Sequence, residues 1–328
     1  MMTVRSLSIS RNFVFLVMTA ATAAAVAGCD GGSDGGTDPA DEDFGGPPAI
    51  SEVLPHVAVS GGYIYVEGEH LATPGGLVEG VTIEIDGADA SGAAVTVDLR
   101  IDEGKPERLT AEVPVDMDTR IQGAGSLRVT TPEGSAEFPS PIFAVKDSGF
   151  GGAAGRGEGM VGNVYAVLPQ TPALPDFTDP CKDPQVISSG AFTCPHTIIL
   201  VPNLDVPVRS FTEGFPGLGD NLLEWFAIEF TGYLVVEKGG SYTFQSCSDD
   251  ASNVYIVEKA GATKVVDNDG LHGMSCKSGS IDLKAGTYPI VVDYMQGPAT
   301  EIGMQLYWTP PGGVSEIIPA SNLRLFVD

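Results

Sequence analysis

This 328-residue chain is predicted to fold as an all-β protein, two sandwiches in series. Three observations predict it. Apolar and polar residues alternate with period two over many short stretches. Gly-, Pro- and Asn-containing turns separate those stretches. No stretch in the part expected to fold carries the 3.6-residue apolar period of an amphipathic helix.

The first 28 residues are excluded from the fold. Arg5 and Arg11 flank an apolar, Ala-rich run from Phe13 to Val26, an export signal too short to span a bilayer, for which about 20 residues are needed. Val26, Ala27, Gly28 and Cys29 resemble a bacterial lipoprotein box. That resemblance implies cleavage before Cys29 and acylation of its thiol, and so a lipid-anchored protein of the bacterial cell envelope. The outer membrane or cell surface is the expected address. Asp30, directly after Cys29, resembles an inner-membrane retention signal and keeps the periplasmic face of the inner membrane as the alternative.

The chain has 43 acidic and 17 basic residues; removing Arg5 and Arg11 with the leader leaves 15 basic against 43 acidic, a formal charge of −28. Phosphate backbones and anionic lipid would repel such a surface, which argues against nucleic-acid binding and confines membrane contact to the lipid. Residues 29–47 hold six acids between Asp30 and Gly46, no base and many glycines, the composition of a disordered, self-repelling tether. Gly31, Ser33 and Gly35 match the hydrolase spacing G-x-S-x-G, but that motif needs a strand before it and a helix after it, and low-complexity coil supplies neither.

Residues 48–147 read as a small antiparallel sandwich. Val81, Ile83 and Ile85 alternate with Thr82, Glu84 and Asp86; Val95, Val97 and Leu99 alternate with Thr96, Asp98 and Arg100; Leu127 and Val129 lead to a Pro132, Glu133, Gly134 turn. About seven such strands suggest an immunoglobulin-like sandwich. The order PAISEVLP (48–55), GGYIYVEGEHL (61–71), VTIEIDG (81–87) and SLRVTTPEGSAEFPSPIFAV (126–145) resembles the IPT/TIG family of immunoglobulin-like domains. The resemblance implies a spacer or protein-contact module. His56 and His70 have no partner at ligand spacing and are expected on the surface or in packing. A Gly-rich break at 148–160 separates this unit from the next.

Residues 161–328 are again β-rich. Trp225 to Val236, Ser241 to Ser246, Ile281 to Lys284, Tyr288 to Tyr294 and Met304 to Trp308 all alternate, with Trp225, Phe226, Tyr294 and Trp308 expected in the core. The expected architecture is a sandwich or flattened barrel. Four cysteines remain after Cys29: Cys181, Cys194, Cys247 and Cys276. In an exported chain they favour two disulfides; of the three possible connectivities, proximity in sequence favours Cys181 with Cys194 and Cys247 with Cys276. Their spacing is not that of a zinc site.

Asp249 and Asp250 fall where one strand ends and the next begins. Along a strand neighbouring side chains point to opposite faces, so these two can grip one ion only if the backbone turns sharply between them. Like charges about 4 Å apart repel by about 4 kcal/mol at an effective dielectric near 20, which a bound cation cancels. Oxygen-only donors point to a hard ion, most simply Ca²⁺. Asp267 to Gly270 has the start of an EF-hand loop, but its twelfth position is Ser278, so that motif is rejected. Asp269 and His272 are expected to brace the turn.

The succession WFAIEFTGYL, GGSYTFQSCSDDASNVYI, VVDNDGLHG, GSIDLKAGTYPIVVDYMQGP and IGMQLYWTPPGG resembles the PA-fourteen domain first recognised in anthrax protective antigen and found in yeast flocculins and bacterial surface proteins. The resemblance implies a β-sandwich in which many members bind sugars through Ca²⁺. It implies a cis peptide between Asp249 and Asp250 and places Gln296, with the backbone carbonyls of Gly297 and Ala299, in the same ion site. Asp249, Asp250 and Gln296 would then carry the sugar site too. After the acidic pair this chain has Ala251, Ser252 and Asn253 in place of the family's Gly-Ser-Arg-like run, and the strand is expected to continue through Glu258, Lys259 and Ala260. No nucleophile and base can be paired, so no enzymatic activity is expected. The sequence thus leads to a Ca²⁺-dependent, glycan-binding, lipid-anchored surface protein, with a structural or protein-assembly module as the alternative.

Overall fold

A computed structural model describes residues 43–145, 157–190, 192, 194–218 and 222–326. The export segment, Cys29 and residues 30–42 lie outside the described residues. Two β units follow one another, and no sheet is shared between them.

The first unit runs β1 (Ala49–Leu54), β2 (Val57–Val59), β3 (Tyr63–Glu69), β4 (Thr82–Ala88), β5 (Ala94–Lys105), β6 (Arg108–Glu112), a single helical turn α1 (Met117–Arg120), β7 (Ala124–Thr131), β8 (Gly134–Glu137) and β9 (Ile142–Val145). The long strand β5 joins the layers: Ala94 to Leu99 pair with β4, while Arg100 to Lys105 pair with β6, with a register shift between Ile101 and Glu103. A bulge bends a strand and lets it change partners. Alternation decides burial as expected, and Ile83, Ile85, Val97, Leu99, Leu127 and Val129 enter one core. His56 lies 3.0 Å from Glu52, and His70 Nδ1 lies 2.7 Å from the Phe44 carbonyl oxygen. Phe44 itself is buried. The last residues of the expected tether therefore pack on this unit, because Phe44 is the one large apolar side chain in that segment.

The second unit comprises β10 (Met160–Ala166), β11 (Thr197–Val201), β12 (Asp205–Ser210), β13 (Phe226–Val236), β14 (Gly240–Asp249), β15 (Ser252–Glu258), β16 (Gly261–Asn268), β17 (Ser275–Leu283), β18 (Gly286–Gln296), β19 (Glu301–Thr309), β20 (Glu316–Ile317) and β21 (Leu323–Arg324). One sheet has the order β11-β10-β13-β18-β15-β16, with β21 beside β13; the other has β12-β19-β14-β17, with β20 beside β19. The all-β expectation is met, and the architecture is a sandwich. Its core takes the inward residues of both sheets, among them Phe226, Ile228 and Phe230 of β13, Tyr242 and Phe244 of β14, and Val292 and Tyr294 of β18. Each such side chain contributes roughly 1.5–3 kcal/mol on burial. Strand β15 stops at Glu258 rather than running on to Ala260. Gly261 takes φ +123° and faces Glu258 across a two-residue hairpin, a conformation that glycine adopts freely.

Both proximity-favoured disulfides are present, Cys181–Cys194 and Cys247–Cys276, with Cα separations of 5.6 and 4.0 Å. The first closes a segment, residues 167–196, that has no strand among its described residues. Phe177 and Val186 from this segment cluster with Tyr165, Ala227, Ala251 and Met295 on the outer face of the β10-β13-β18-β15 sheet, so the segment forms a cover over it.

The units meet through named contacts. The His56 N–H donates to the Ile198 carbonyl at 3.2 Å, and the Gly157 N–H donates to the Tyr65 hydroxyl at 2.7 Å. Tyr65 clusters with Leu200 and Leu325, Val57 joins the core of the second unit, and the Arg108 guanidinium lies 3.7 Å from the Phe326 ring centre.

Candidate metal centre

Strand β14 belongs to one sheet and β15 to the other, so the chain between them crosses the end of the sandwich. Asp249 and Asp250 form that crossing, and the peptide bond joining them is cis. Both are buried, at 2% and 4% exposure. Beyond the corner, β15 docks on β18 through the Asp250 N–H to the Met295 carbonyl at 3.2 Å and the Met295 N–H to the Ala251 carbonyl at 2.9 Å.

Two loops close on the corner. From the β16–β17 loop the His272 N–H donates to Asp250 Oδ1 at 2.9 Å; from the β18–β19 loop the Gly297 N–H donates to Asp250 Oδ2 at 2.8 Å. A Cβ on Gly297 would lie 2.5 Å from Cδ2 of the exposed Leu271, which can swing aside, and 3.0 Å from Asp250 Oδ2, so a side chain there would crowd the carboxylate. His272 braces its loop as expected: its ring nitrogens lie 3.0 Å from the Gly273 carbonyl and 3.1 Å from the Asn268 carbonyl. Asp269 braces elsewhere. Its Oδ1 accepts from Gly270 N–H at 2.8 Å and from Leu174 N–H at 2.9 Å, tying this loop to the cover.

Under the corner lies a polar layer that sequence reasoning missed. Ser246 and Ser248 continue the inward positions of Tyr242 and Phe244 along β14. Ser252 Oγ lies 2.7 Å from Ser246 Oγ and 2.8 Å from Ser248 Oγ, and Asn268 Nδ2 donates to Ser248 Oγ at 3.0 Å and to the Ser275 carbonyl at 3.1 Å. Period-two alternation read through to the end of β14 would have flagged both serines as inward, polar and in need of partners. Tyr294 completes the layer. Its ring packs on Phe215 and Phe226, centroids 5.3 and 6.1 Å away, and its hydroxyl lies 2.8 Å from the Asp249 carbonyl oxygen and 3.0 Å from Gln296 Oε1.

Gln296 is fully buried, and its amide is engaged within the protein: Nε2 donates to the Glu301 carbonyl at 3.0 Å, spanning the β18–β19 loop, while Oε1 faces the Tyr294 hydroxyl. The Gly297 carbonyl accepts from Trp225 N–H at 3.2 Å, and the Ala299 N–H donates to Glu224 Oε2 at 3.0 Å. The structure therefore brings Asp249, Asp250, Gln296 and Gly297 to one end of the sandwich. Phe226, Tyr294 and Trp308 are core residues, whereas Trp225 precedes β13 with φ +57° and is half-buried against the cover.

The electrostatics are those of a site short of positive charge. Burial, then Asp250, then Glu301 push the Asp249 carboxyl up to about 6; burial raises Asp250 too, against the N–H donors of Gly297 and His272. Among the described residues no Lys or Arg forms an ion pair with either carboxylate, and no cluster of three or more His, Cys, Asp and Glu gathers. A thiolate- or imidazole-seeking metal therefore lacks donors. An oxygen-seeking cation fits: the carboxylates keep lone pairs beyond those their N–H donors use, and amide and carbonyl oxygens are the remaining neighbours.

Residues 222–322 match the PA14 domain family, so a PA14 domain occupies most of the second unit. No curated protein sequence matches the chain. Among solved structures, a PA14 sugar-binding domain from an RTX adhesin is similar at 17% identity, over 52% of this chain and 99% of that one, with a TM-score of 0.39. The PA14 domain of the MpAFP antifreeze protein is similar at 17% identity over 50% and 89%, TM-score 0.38. An anti-sigma factor domain-containing protein from Clostridium clariflavum is similar at 15% identity over 80% and 85%, TM-score 0.37.

Proposed function

We propose that this chain is a non-enzymatic, Ca²⁺-dependent carbohydrate-binding protein of the bacterial cell envelope, held to a membrane by lipid on Cys29. The first unit would serve as an immunoglobulin-like spacer. One observation carries this reading: two adjacent carboxylates turned into one buried corner, with N–H donors from two loops on Asp250 and, among the described residues, no Lys or Arg paired with either. Asp249 and Asp250 would hold the ion, with oxygens of Gln296, Gly297 and Ala299 as the remaining protein donors. When bound, Ca²⁺ leaves coordination positions that vicinal sugar hydroxyls can fill in place of water. The chain's own residues orient and hold the site. Tyr294 fixes the Asp249 carbonyl, Asn268 fixes the start of the β16–β17 loop, and Gln296 fixes the span of the β18–β19 loop.

Two measurements on the purified full-length chain test the reading. Calorimetric unfolding should move to higher temperature with excess Ca²⁺ and back with a chelator, because a ligand of the native state stabilises by mass action. A glycan array probed with and without Ca²⁺ should show ion-dependent binding that Asp250→Asn abolishes. An unchanged array profile for Asp250→Asn refutes the site. Silent arrays together with an ion-independent protein partner would favour the structural-module alternative.

A further inference from the structure

The acidic corner is rimmed by aliphatic side chains from two elements. Leu271, in the β16–β17 loop, stands on the Asp250 side: its Cδ2 and Asp250 Oδ2 lie 2.5 and 3.0 Å from one point, the place of a Cβ on Gly297. Val208 and Met274 stand on the Asp249 side. Gly303 of β19 faces Asp249 in the register, and a Cβ on it would meet Val208 Cα at 3.2 Å and Met274 Sδ at 3.3 Å. Gly273, next to Met274 in the chain, would bring a Cβ within 3.9 Å of Asp249 Oδ2. A bulge puts Val208 there: β12 shifts register between Val206 and Arg209, where Pro207 has no N–H to give to a partner strand.

Leu271 and Val208 are exposed, at 43% and 45%, and Met274 is half-buried. A single exposed aliphatic residue is ordinary; these converge on one opening from β12 and from the β16–β17 loop. Donors around Leu271 are engaged. The Gly270 N–H is on Asp269, the His272 and Gly297 N–H groups are on Asp250, and both His272 ring nitrogens face carbonyls. The Gln296 amide is bonded within its own loop. On the other side Glu301, exposed at the start of β19, is an acceptor that already raises the Asp249 carboxyl. A ligand oxygen pressed against Leu271 would thus give up water and gain no donor, whereas a methyl group would only bury apolar area.

We propose that the sugar taken at this corner is a deoxy sugar whose terminal methyl, standing where a common hexose carries a hydroxymethyl group, packs on Leu271, with Val208 and Met274 closing the opposite side of the rim. The inference rests on the Ca²⁺-dependent sugar site proposed above. Vicinal hydroxyls complete the coordination of the ion, and the rim discriminates by what the rest of the ring carries. Selection is then a difference in desolvation, without an added hydrogen bond.

Calorimetric titration of the full chain with Ca²⁺ tests this on sugars that differ in that one oxygen: L-rhamnose against L-mannose, L-fucose against L-galactose, and D-quinovose against D-glucose. Within each pair that binds, the deoxy member should bind about fourfold more tightly or better, the value of one buried methyl. Equal affinities, or a preference for the hydroxymethyl member, overturn the inference and leave the calcium-dependent sugar site standing. Silence in every pair overturns the inference as well; if Ca²⁺ also fails to raise the unfolding temperature, the reading beneath it falls too. Leu271→Ser should cost the deoxy member about fourfold and its partner much less, so that their ratio approaches one. An equal loss for both members is what a merely loosened loop would give, and overturns the role of Leu271. Should Leu271→Ser fail to fold, saturation-transfer NMR on the wild type decides. The sugar methyl should be marked more strongly than the ring protons; equal or weaker marking overturns the inference.

Discussion

The two buried acid pairs of the second unit face opposite circumstances. Asp249 and Asp250 are neighbours in the chain and lie where it crosses between sheets, and Asp250 accepts N–H bonds from His272 and Gly297. Glu229 and Asp293 meet through strand register, and no backbone donor reaches them among the described residues. Burial raises all four acids, Asp249 to about 6 and Glu229 to about 7, and lifts Asp250 and Asp293 above the ordinary carboxylate range. At Asp250 the two backbone N–H bonds oppose the effect of burial, whereas burial acts on Glu229 and Asp293 without such donors among the described residues.

Substitutions can break or sharpen this contrast. The largest effect is expected at the corner. At an ion concentration a hundredfold above the dissociation constant, Ca²⁺ should stabilise the wild type by about 2.7 kcal/mol. Asp250→Asn should remove that response in calorimetric unfolding, while Glu229→Gln, away from the corner, should retain it. Gly297→Ala should follow, destabilising by about 1 kcal/mol, because its new methyl crowds Asp250 and turns the exposed end of Leu271 aside. Urea unfolding measures that loss, and Leu271→Ala in the same chain should restore part of it. Asn268→Ala leaves the Ser248 hydroxyl with Ser252 alone and the Ser275 carbonyl without its side-chain partner, at about 1–2 kcal/mol by the same measurement. The smallest change is expected in the first unit. Arg120 and Asp116 form an exposed i,i+4 pair, and Arg120→Ala should shift stability by less than about 0.5 kcal/mol and leave the Ca²⁺ response intact.

The contrast also separates what the sequence discloses from what it hides. Alternation located nearly every strand around the corner, because inward and outward residues differ in polarity at each step; two adjacent aspartates at a strand end were visible for the same reason. Cysteine spacing pointed to both disulfides. The Glu229–Asp293 pair was hidden, since its members meet only once β13 and β18 are set in register. The cover was hidden too: residues 167–196 carry no period, and their burial follows from what lies beneath them. The resemblance pointed to Gln296 as a residue of the acidic corner, but its amide is bonded inside the β18–β19 loop, which spacing cannot convey. Trp225 looked like a strand residue because it adjoins one; its positive φ appears only in three dimensions.

The contact between the units bears on how the protein can be dissected. Val57 is inserted into the core of the second unit, and Tyr65 shields Leu200 and Leu325. A truncation beginning at Gly157 would strip away that shield and leave an apolar scar able to drive self-association. Clumping of such a fragment would then report the surgery rather than adhesion, and agglutination assays are best run with both halves in place.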